Sequence, residues 1–161
     1  MIRDRTDVLE FLAGQRTERY RALIIHGPPM SGKTKLARAL AKFADVHYLD
    51  LQAMFASDET LAGCTDRFGV QDLKQLLLGL DVPQSVVAVD NLDFLLNTWS
   101  SGRKQELAML VDKILESPAI TDKTFVFFLQ TDRHVVGKPI SNTYRESRIL
   151  EIEQIKALRV V

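Results

Sequence analysis

The chain has 161 residues, a length that suits one domain with its own hydrophobic core. Its 21 basic and 21 acidic residues give a formal net charge of zero, which excludes a global electrostatic attraction to nucleic acid or anionic lipid. A single cysteine, Cys64, excludes an internal disulfide framework, and no apolar stretch approaches membrane-spanning length. We therefore expect a cytoplasmic protein with a single domain over residues 1–161.

Apolar periodicity along the chain predicts strands that alternate with helices. In chain order, the pattern predicts a short helix at 8–12, a strand at 21–26, a helix that starts near residue 32 and runs to about 43, and a strand at 46–51. It then predicts one short helix within 52–69, a helix at 70–80, a strand at 86–89, a helix at 107–115 and strands at 124–129 and 148–152. Such alternation predicts an α/β fold with three layers, in which a five-stranded, mostly parallel sheet has helices on both faces.

The segment that follows the first strand fits the phosphate-binding pattern G-x-x-x-x-G-K-[ST] over residues 27–34. Gly27 and Gly32 allow a tight turn whose backbone N–H groups point at phosphate oxygens, and the helix that follows directs its positive end at the same anion. Lys33 adds a charge for the β- and γ-phosphates, and the Thr34 hydroxyl is suited to Mg²⁺. The residues expected to contact the nucleotide are Gly27, Pro28, Pro29, Met30, Ser31, Gly32, Lys33, Thr34 and Lys35.

A second set of candidates follows later strands. The strand at 86–89 leads into Asp90, an acid placed to help Thr34 hold Mg²⁺. Hydrolytic enzymes of this class usually carry another acid next, where this chain has Asn91, which can orient water but cannot accept its proton. We expect Asp93 to be displaced from the chemistry, and we expect Asp132, at the tip of another strand, to converge on the loop.

With these residues in hand, the chain resembles the AAA+ ATPases, particularly the bacterial initiator and helicase-loader group (DnaA-like and DnaC-like). The segments that carry the likeness are 27–34, 89–95, 128–133 and 144–149. The resemblance implies a P-loop NTPase that uses ATP and Mg²⁺. It also implies that Asp132 or Thr131 senses the γ-phosphate, and that Arg148, with Arg145 in reserve, is the arginine finger supplied to a neighbouring subunit. The other interpretation of Arg148 is a surface ion pair with Glu146 or Glu151.

Two departures from that family affect the prediction. Asn91 replaces the expected acid, and the sequence ends shortly after the fifth strand, so that we expect no helical lid domain. Small P-loop proteins without a lid also occur in bacterial phage-defence systems of the BREX kind, and the size of this chain suggests that setting.

Three functions are compatible with these features. The leading hypothesis is an ATP-binding switch that assembles with itself or a larger partner, with nucleic acid reached through the assembly and with weak or partner-stimulated ATP hydrolysis. The second is a small-molecule kinase whose lid would use the basic residues Arg133, Lys138, Arg145 and Arg148. The third is an adaptor that binds nucleotide without hydrolysing it, which Asn91 favours.

Overall fold

The computed structural model describes residues 7–156 and contains one five-stranded sheet with the strand order β2-β3-β4-β1-β5. The strands are β1 Leu23–Gly27, β2 Val46–Asp50, β3 Val86–Asp90, β4 Thr124–Gln130 and β5 Ile149–Glu151. Every neighbouring pair in this sheet is parallel. The predicted α/β class is confirmed, and the sheet formed by these strands is parallel throughout.

Helices cover both faces of the sheet. They are α1 Val8–Gln15, α2 Lys33–Phe43, α3 Leu51–Ser57, α4 Glu59–Gly63, α5 Val70–Leu78, α6 Asp93–Leu96, α7 Ser101–Met109 and α8 Arg133–Val136, with 3₁₀ turns at Thr65–Arg67 and Ile152–Gln154 and a π-helical turn at Leu110–Ile114. Within residues 7–156, none of these helices has the length and apolar character needed to cross a membrane.

The predicted helix boundaries were wrong in two regions. Where one short helix was expected, α3 and α4 follow each other, because Asp58 ends the first and accepts hydrogen bonds from N–H groups at the start of the second. The helix expected from residue 107 begins at Ser101, where the Ser100 hydroxyl accepts the Arg103 N–H. Its first turns are mostly exposed, so they carry no apolar period for the sequence pattern to detect.

The core divides into two layers because side chains alternate along each buried strand. In β4, Phe125, Phe127 and Leu129 pack with residues of α3, α5, α6 and α7, whereas Val126 and Phe128 pack with residues of α1 and α2. Parallel pairing places the carboxyl ends of the strands at one edge, where Gly27 lies beside Gln130 and Asp50 beside Asp90. The phosphate-loop sequence and the acid of β3 therefore meet at the same edge of the sheet.

Arg148 has a structural position that contradicts its predicted role as an arginine finger. It precedes β5, and only 1% of its surface is exposed. Its Nη2 donates to Asp112 Oδ1 at 2.9 Å, and Nη1 donates to the carbonyl oxygens of Ala22 and Val111, each at 2.9 Å. The surface pair with Glu146 or Glu151 is equally wrong, since the partner is Asp112 in the π-helical turn.

The Arg148 guanidinium thus joins the strand β5 to the layer of helices around α7. Burial lowers the pKa of Arg148, and the charge of Asp112 opposes that effect. A guanidinium stays protonated in proteins, so Arg148 carries its positive charge in the interior. The protein tolerates this buried charge because Asp112 pairs with it and carbonyl oxygens accept its N–H groups. A side chain held in this way by its own chain is not available to a neighbouring subunit.

We expect Arg148→Ala to lower the free energy of unfolding by about 3 kcal/mol, because it leaves buried carbonyl groups and Asp112 without their donor. Urea denaturation followed by circular dichroism measures the change. The control is Arg145→Ala, an exposed position at which a change within about 0.5 kcal/mol is expected. Equal stability of the two variants would contradict a structural role for Arg148.

Candidate functional site

The loop between β1 and α2 takes its shape from two glycines. Gly32 caps the helix with φ of +96°, a left-handed conformation that side chains other than glycine rarely adopt. At Gly27 the constraint is space, because a Cβ atom would lie 2.5 Å from Ile152 Cγ2 and 2.8 Å from Ser31 Oγ. The eleven residues of α2 follow directly, and the first N–H groups of a helix have no partner inside it. The loop therefore presents a helix N-terminus suited to an anion.

Lys33, the first residue of α2, folds back onto this loop. Its Nζ donates to the carbonyl oxygens of Gly27 at 3.0 Å and Pro28 at 2.7 Å, and to Ser31 Oγ at 3.2 Å. Burial lowers the pKa of Lys33, while the charges of Asp93 and Asp90 raise it. The ammonium is thus held by neutral acceptors, with two carboxylates close enough to affect it.

Asp90, at the tip of β3, is 3% exposed and accepts two hydroxyl hydrogen bonds on one oxygen. Thr34 Oγ1 donates to Asp90 Oδ2 at 2.8 Å, and Tyr48 Oη donates to the same atom at 2.7 Å. Burial, followed by the hydrogen bond to Asp90, raises the pKa of Tyr48 to about 12, so the phenol stays protonated and keeps donating. The Arg38 guanidinium carbon lies 5.6 Å from the centre of the Tyr48 ring.

Asn91 and Asp93 lie just beyond Asp90. Asn91 has φ of +57°, which turns the chain sharply after β3. Asp93 then starts α6, and its Oδ1 accepts the backbone N–H of Gln130 at 2.8 Å. Burial raises the pKa of Asp93, with the Gln130 hydrogen bond and the Lys33 charge opposing this. Asp93, which was expected to be displaced from the chemistry, lines the same cleft as Asp90, because the turn at Asn91 brings it back.

A cleft of about 370 Å³ brings most of these groups together. Its lining comes from the loop, from the tip of β3 and the turn after it, and from the tip of β4. The lining residues are Pro29, Met30, Ser31, Gly32, Lys33, Thr34, Lys35, Asp90, Asn91, Asp93 and Gln130. Gly27 and Pro28 do not line the cleft directly, but their carbonyl oxygens accept hydrogen bonds from the Lys33 ammonium, which does.

The polar residues after β4 do not reach the cleft as expected. Asp132 pairs with Lys104 at 2.7 Å and caps α8 by accepting the His134 N–H. Burial would raise the pKa of Asp132, but the hydrogen bonds from Lys104 and His134 and the Lys104 charge outweigh it and hold the pKa below its usual value. Thr131 Oγ1 bonds to His26 Nδ1 at 2.9 Å. Gln130, which the sequence did not single out, is the β4 residue that lines the cleft.

The basic residues expected to form a kinase lid are dispersed. Arg133 and Lys138 line a different cavity of about 420 Å³, together with Lys113 and His134. Arg148 is buried in its own network, and Arg145 is exposed on the loop before β5. These positions do not assemble a basic lid over the cleft.

The oxygen donors in the cleft fit Mg²⁺. The Asp90 carboxylate and the Thr34 hydroxyl are hard oxygen ligands in contact with each other, and Mg²⁺ is commonly held by one or two such groups together with water and phosphate. Over residues 7–156 no group of three or more His, Cys, Asp or Glu side chains is arranged to hold a metal. The chemistry present therefore suits a metal bound together with a phosphate ligand.

Tyr48 and Gln130 are the residues that sequence reasoning missed. Tyr48 is on β2, and its proximity to Asp90 depends on β2 being the neighbour of β3 in the sheet. The sequence does place Tyr48 two positions before the end of its strand, close to the edge of the sheet where Asp90 lies. The sequence pattern does not give the order of the strands, however, so it could not predict that Tyr48 lies beside the strand that ends in Asp90.

Comparison with known proteins gives two findings. The model of the ATPase family associated with various cellular activities (AAA) matches residues 23–157. The vesicular-fusion protein SEC18 of Candida albicans is 25% identical over 91 residues, an alignment that covers 56% of this chain and 11% of that protein. The chain thus spans about a tenth of the length of this relative.

The burial of Tyr48, together with its hydrogen bond to Asp90, predicts a difference in stability at high pH. A phenol whose pKa is about 12 when folded and about 10 when unfolded stabilises the fold below pH 10, and that contribution is lost as the pH rises toward 12. We expect the free energy of unfolding to fall more steeply above pH 10 in the wild type than in Tyr48→Phe. Urea denaturation between about pH 8 and 11 measures both slopes.

The matched control for that comparison is Tyr144→Phe, because the Tyr144 side chain is 74% exposed. This variant should keep the slope of the wild type. Parallel slopes for wild type and Tyr48→Phe would contradict the raised pKa of Tyr48.

Proposed function

Because this chain belongs to the AAA family of ATPases, we propose that it binds ATP with Mg²⁺ and hydrolyses it within an assembly of subunits. The observation that carries the proposal is the cleft, in which the phosphate loop, Lys33, Thr34 and Asp90 lie together. A neighbouring subunit would complete the site with an arginine. Hydrolysis gives ADP and phosphate.

The binding step begins at the N-terminus of α2. The free N–H groups of its first turn and the Lys33 ammonium attract the β- and γ-phosphates. The Lys33 ammonium donates to two carbonyl oxygens and one hydroxyl oxygen of its own loop, all of them neutral acceptors. When a phosphate binds, Lys33 would exchange these neutral acceptors for charged phosphate oxygens. A charge-assisted hydrogen bond is stronger than a neutral one, and this difference favours the exchange.

The metal would be held by Thr34 and Asp90, where it supplies positive charge to the phosphate oxygens. Tyr48 keeps one oxygen of Asp90 in place by donating to it, and the shared acceptor orients the carboxylate relative to Thr34. The Tyr48 hydroxyl is therefore a positioning group for this half of the site.

Arg145 is the arginine that we propose for action in trans. It is exposed, and it adopts φ of +62° at the tip of the loop before β5, an uncommon conformation for a residue other than glycine. Its N–H donates to the Asn142 carbonyl at 3.0 Å, and Asn142 Oδ1 accepts the Glu146 N–H at 3.0 Å. The loop is thus ordered by its own bonds while the guanidinium remains at the surface. Arginine fingers accelerate hydrolysis by about 10³–10⁵.

The setting of this activity is a further part of the proposal. AAA domains usually act as oligomers, and we infer assembly with copies of this chain or with a larger partner, in the cytoplasm. Affinity for nucleic acid, likeness to the initiator and loader group and a role in phage defence stay predictions, supported by the sequence resemblance alone.

Asn91 favours one alternative, a nucleotide-binding adaptor without hydrolysis. Its amide lines the cleft at the position where an acid was expected, and an amide does not accept a proton from water. An adaptor would bind ATP and assemble, yet it would turn over no ATP even when the neighbouring arginine is present.

We expect Lys33→Ala to weaken ATP binding at least about 100-fold, because it removes the charge that the phosphates engage. Isothermal titration calorimetry with Mg-ATP measures the affinity. Lys42→Ala, at the other end of α2 and outside the cleft, is the control and should bind as the wild type does. Equal affinity of Lys33→Ala and wild type would contradict binding at this loop.

Mixing two inactive variants tests the arginine in trans. Arg145→Ala lacks the arginine, and Lys33→Ala lacks the binding site, so each should lose at least about 100-fold in ATP turnover. In a mixture, a Lys33→Ala subunit can donate Arg145 to an intact cleft on an Arg145→Ala subunit, and part of the activity should return. Phosphate release measures it, with gel filtration to establish assembly.

Arg133→Ala is the control for this mixture, since Arg133 is exposed and lines a cavity other than the nucleotide cleft. It should keep the turnover of the wild type. If Arg145→Ala alone also keeps full turnover, Arg145 has no part in hydrolysis.

A further inference from the structure

We propose that Asp93 supplies the carboxylate that the residue after Asp90 lacks, and that it accepts the proton of the water that attacks the γ-phosphate. The inference rests on the proposed ATP hydrolysis and assigns to a named side chain the step that Asn91 cannot perform. It makes the substitution of Asn91 for an acid compatible with an active enzyme.

The turn after β3 is what brings Asp93 to the site. The left-handed conformation of Asn91 reverses the chain at once, and Leu92, with 0% exposure, anchors the turn in the core. Leu95 and Leu96 then bury the short helix α6 behind it. These contacts fix the backbone of Asp93, which lines the same cleft as Lys33 and Asp90.

The carboxylate of Asp93 is held at one oxygen. Oδ1 accepts the Gln130 N–H at 2.8 Å, which ties Asp93 to the tip of β4. Over the described residues 7–156, the Gln130 N–H is the group of another residue that donates to this carboxylate, and the backbone N–H of Asp93 itself also bonds to it. The bond from Gln130 therefore fixes the orientation of the carboxylate through Oδ1, while Oδ2 is available to water in the cleft. A general base needs this combination of a fixed orientation and an accessible oxygen.

The other acids near the cleft have other partners. Asp90 and Asp93 are the acidic residues among those that line it. Asp90 Oδ2 is occupied by the hydroxyl groups of Thr34 and Tyr48, and Asp132 is paired with Lys104. Burial raises the pKa of Asp93, which makes it a better proton acceptor than an ordinary aspartate and agrees with the geometry.

The proposed step balances without any further reactant. The water oxygen forms a bond to the γ-phosphorus, and the bond between that phosphorus and the oxygen bridging to the β-phosphate breaks. The proton of the water passes to Asp93 and returns to solvent when phosphate leaves. ADP and inorganic phosphate are the products, and Asp93 is regenerated.

The isosteric variant Asp93→Asn tests the inference in the assembled protein. An amide keeps an acceptor for the Gln130 N–H and removes the proton acceptor. We expect single-turnover hydrolysis to fall at least about 100-fold, the range for loss of a general base. The affinity for Mg-ATP, measured by calorimetry, should stay within about threefold. Chromatography of the bound nucleotide should then find ATP in this variant and ADP in the wild type.

A double variant separates a chemical role from a structural one. Asn91→Asp in the Asp93→Asn background places a carboxylate at the neighbouring position of the same cleft, and it should recover at least about tenfold of the lost rate. Asp81→Asn is the matched control, an exposed acid outside the cleft, and should hydrolyse ATP as the wild type does.

If Asp93→Asn fails to fold, Asp93→Glu decides the question. It keeps the charge and the capacity to accept from Gln130, but moves the free oxygen by one methylene, so hydrolysis should fall while ATP binding persists. A wild-type rate in the folded Asp93→Asn or Asp93→Glu variant overturns the role of Asp93 and leaves the proposed ATPase intact. A wild-type protein that binds ATP and never turns it over overturns both.

Discussion

The shared oxygen of Asp90 is the interaction on which the rest of the site depends. Two hydroxyl groups, one from the start of α2 and one from β2, donate to it. A buried carboxylate is costly unless its charge is satisfied, so these donors account for its presence at the end of an apolar strand. Through that single atom the phosphate loop, the second strand and the third strand are held in one arrangement, which gives the cleft its shape.

Arg148 performs a comparable role at the opposite side of the sheet. It connects the edge strand β5 with the π-helical turn and with the residue that precedes β1. The loop between α8 and β5 is thereby anchored at its far end, while Arg145, three positions earlier, is left on the surface. Burial thus separates two arginines of one segment into a structural group, Arg148, and a surface group, Arg145.

The sequence predicts much of the fold and the positions of three residues of the candidate site. Lys33, Thr34 and Asp90 were predictable because they belong to local patterns at strand ends, and parallel strands bring such ends to one edge. Asp93, Asp132 and Arg148 were not, because their roles depend on partners distant in sequence. The left-handed backbone of Asn91 turns Asp93 toward the cleft. Asp132 forms an ion pair with Lys104, which lies on a helix whose first turns have no apolar period. Arg148 forms an ion pair with Asp112 in a π-helical turn.

The way Lys33 is bonded has a consequence for which anions the protein can retain. Its ammonium already satisfies the oxygens of the loop, and one of them, the Gly27 carbonyl, also accepts the Thr131 N–H. When an anion binds, Lys33 would exchange its hydrogen bonds to the loop for hydrogen bonds to the anion. The free energy gained from this exchange is the difference between the two sets of bonds, which is smaller than the energy of either set. A ligand that also reaches the helix amides and the Thr34 hydroxyl adds hydrogen bonds to that exchange. We therefore expect a polyphosphate to bind more tightly than an orthophosphate that engages Lys33 alone, so that ligand length contributes to selectivity.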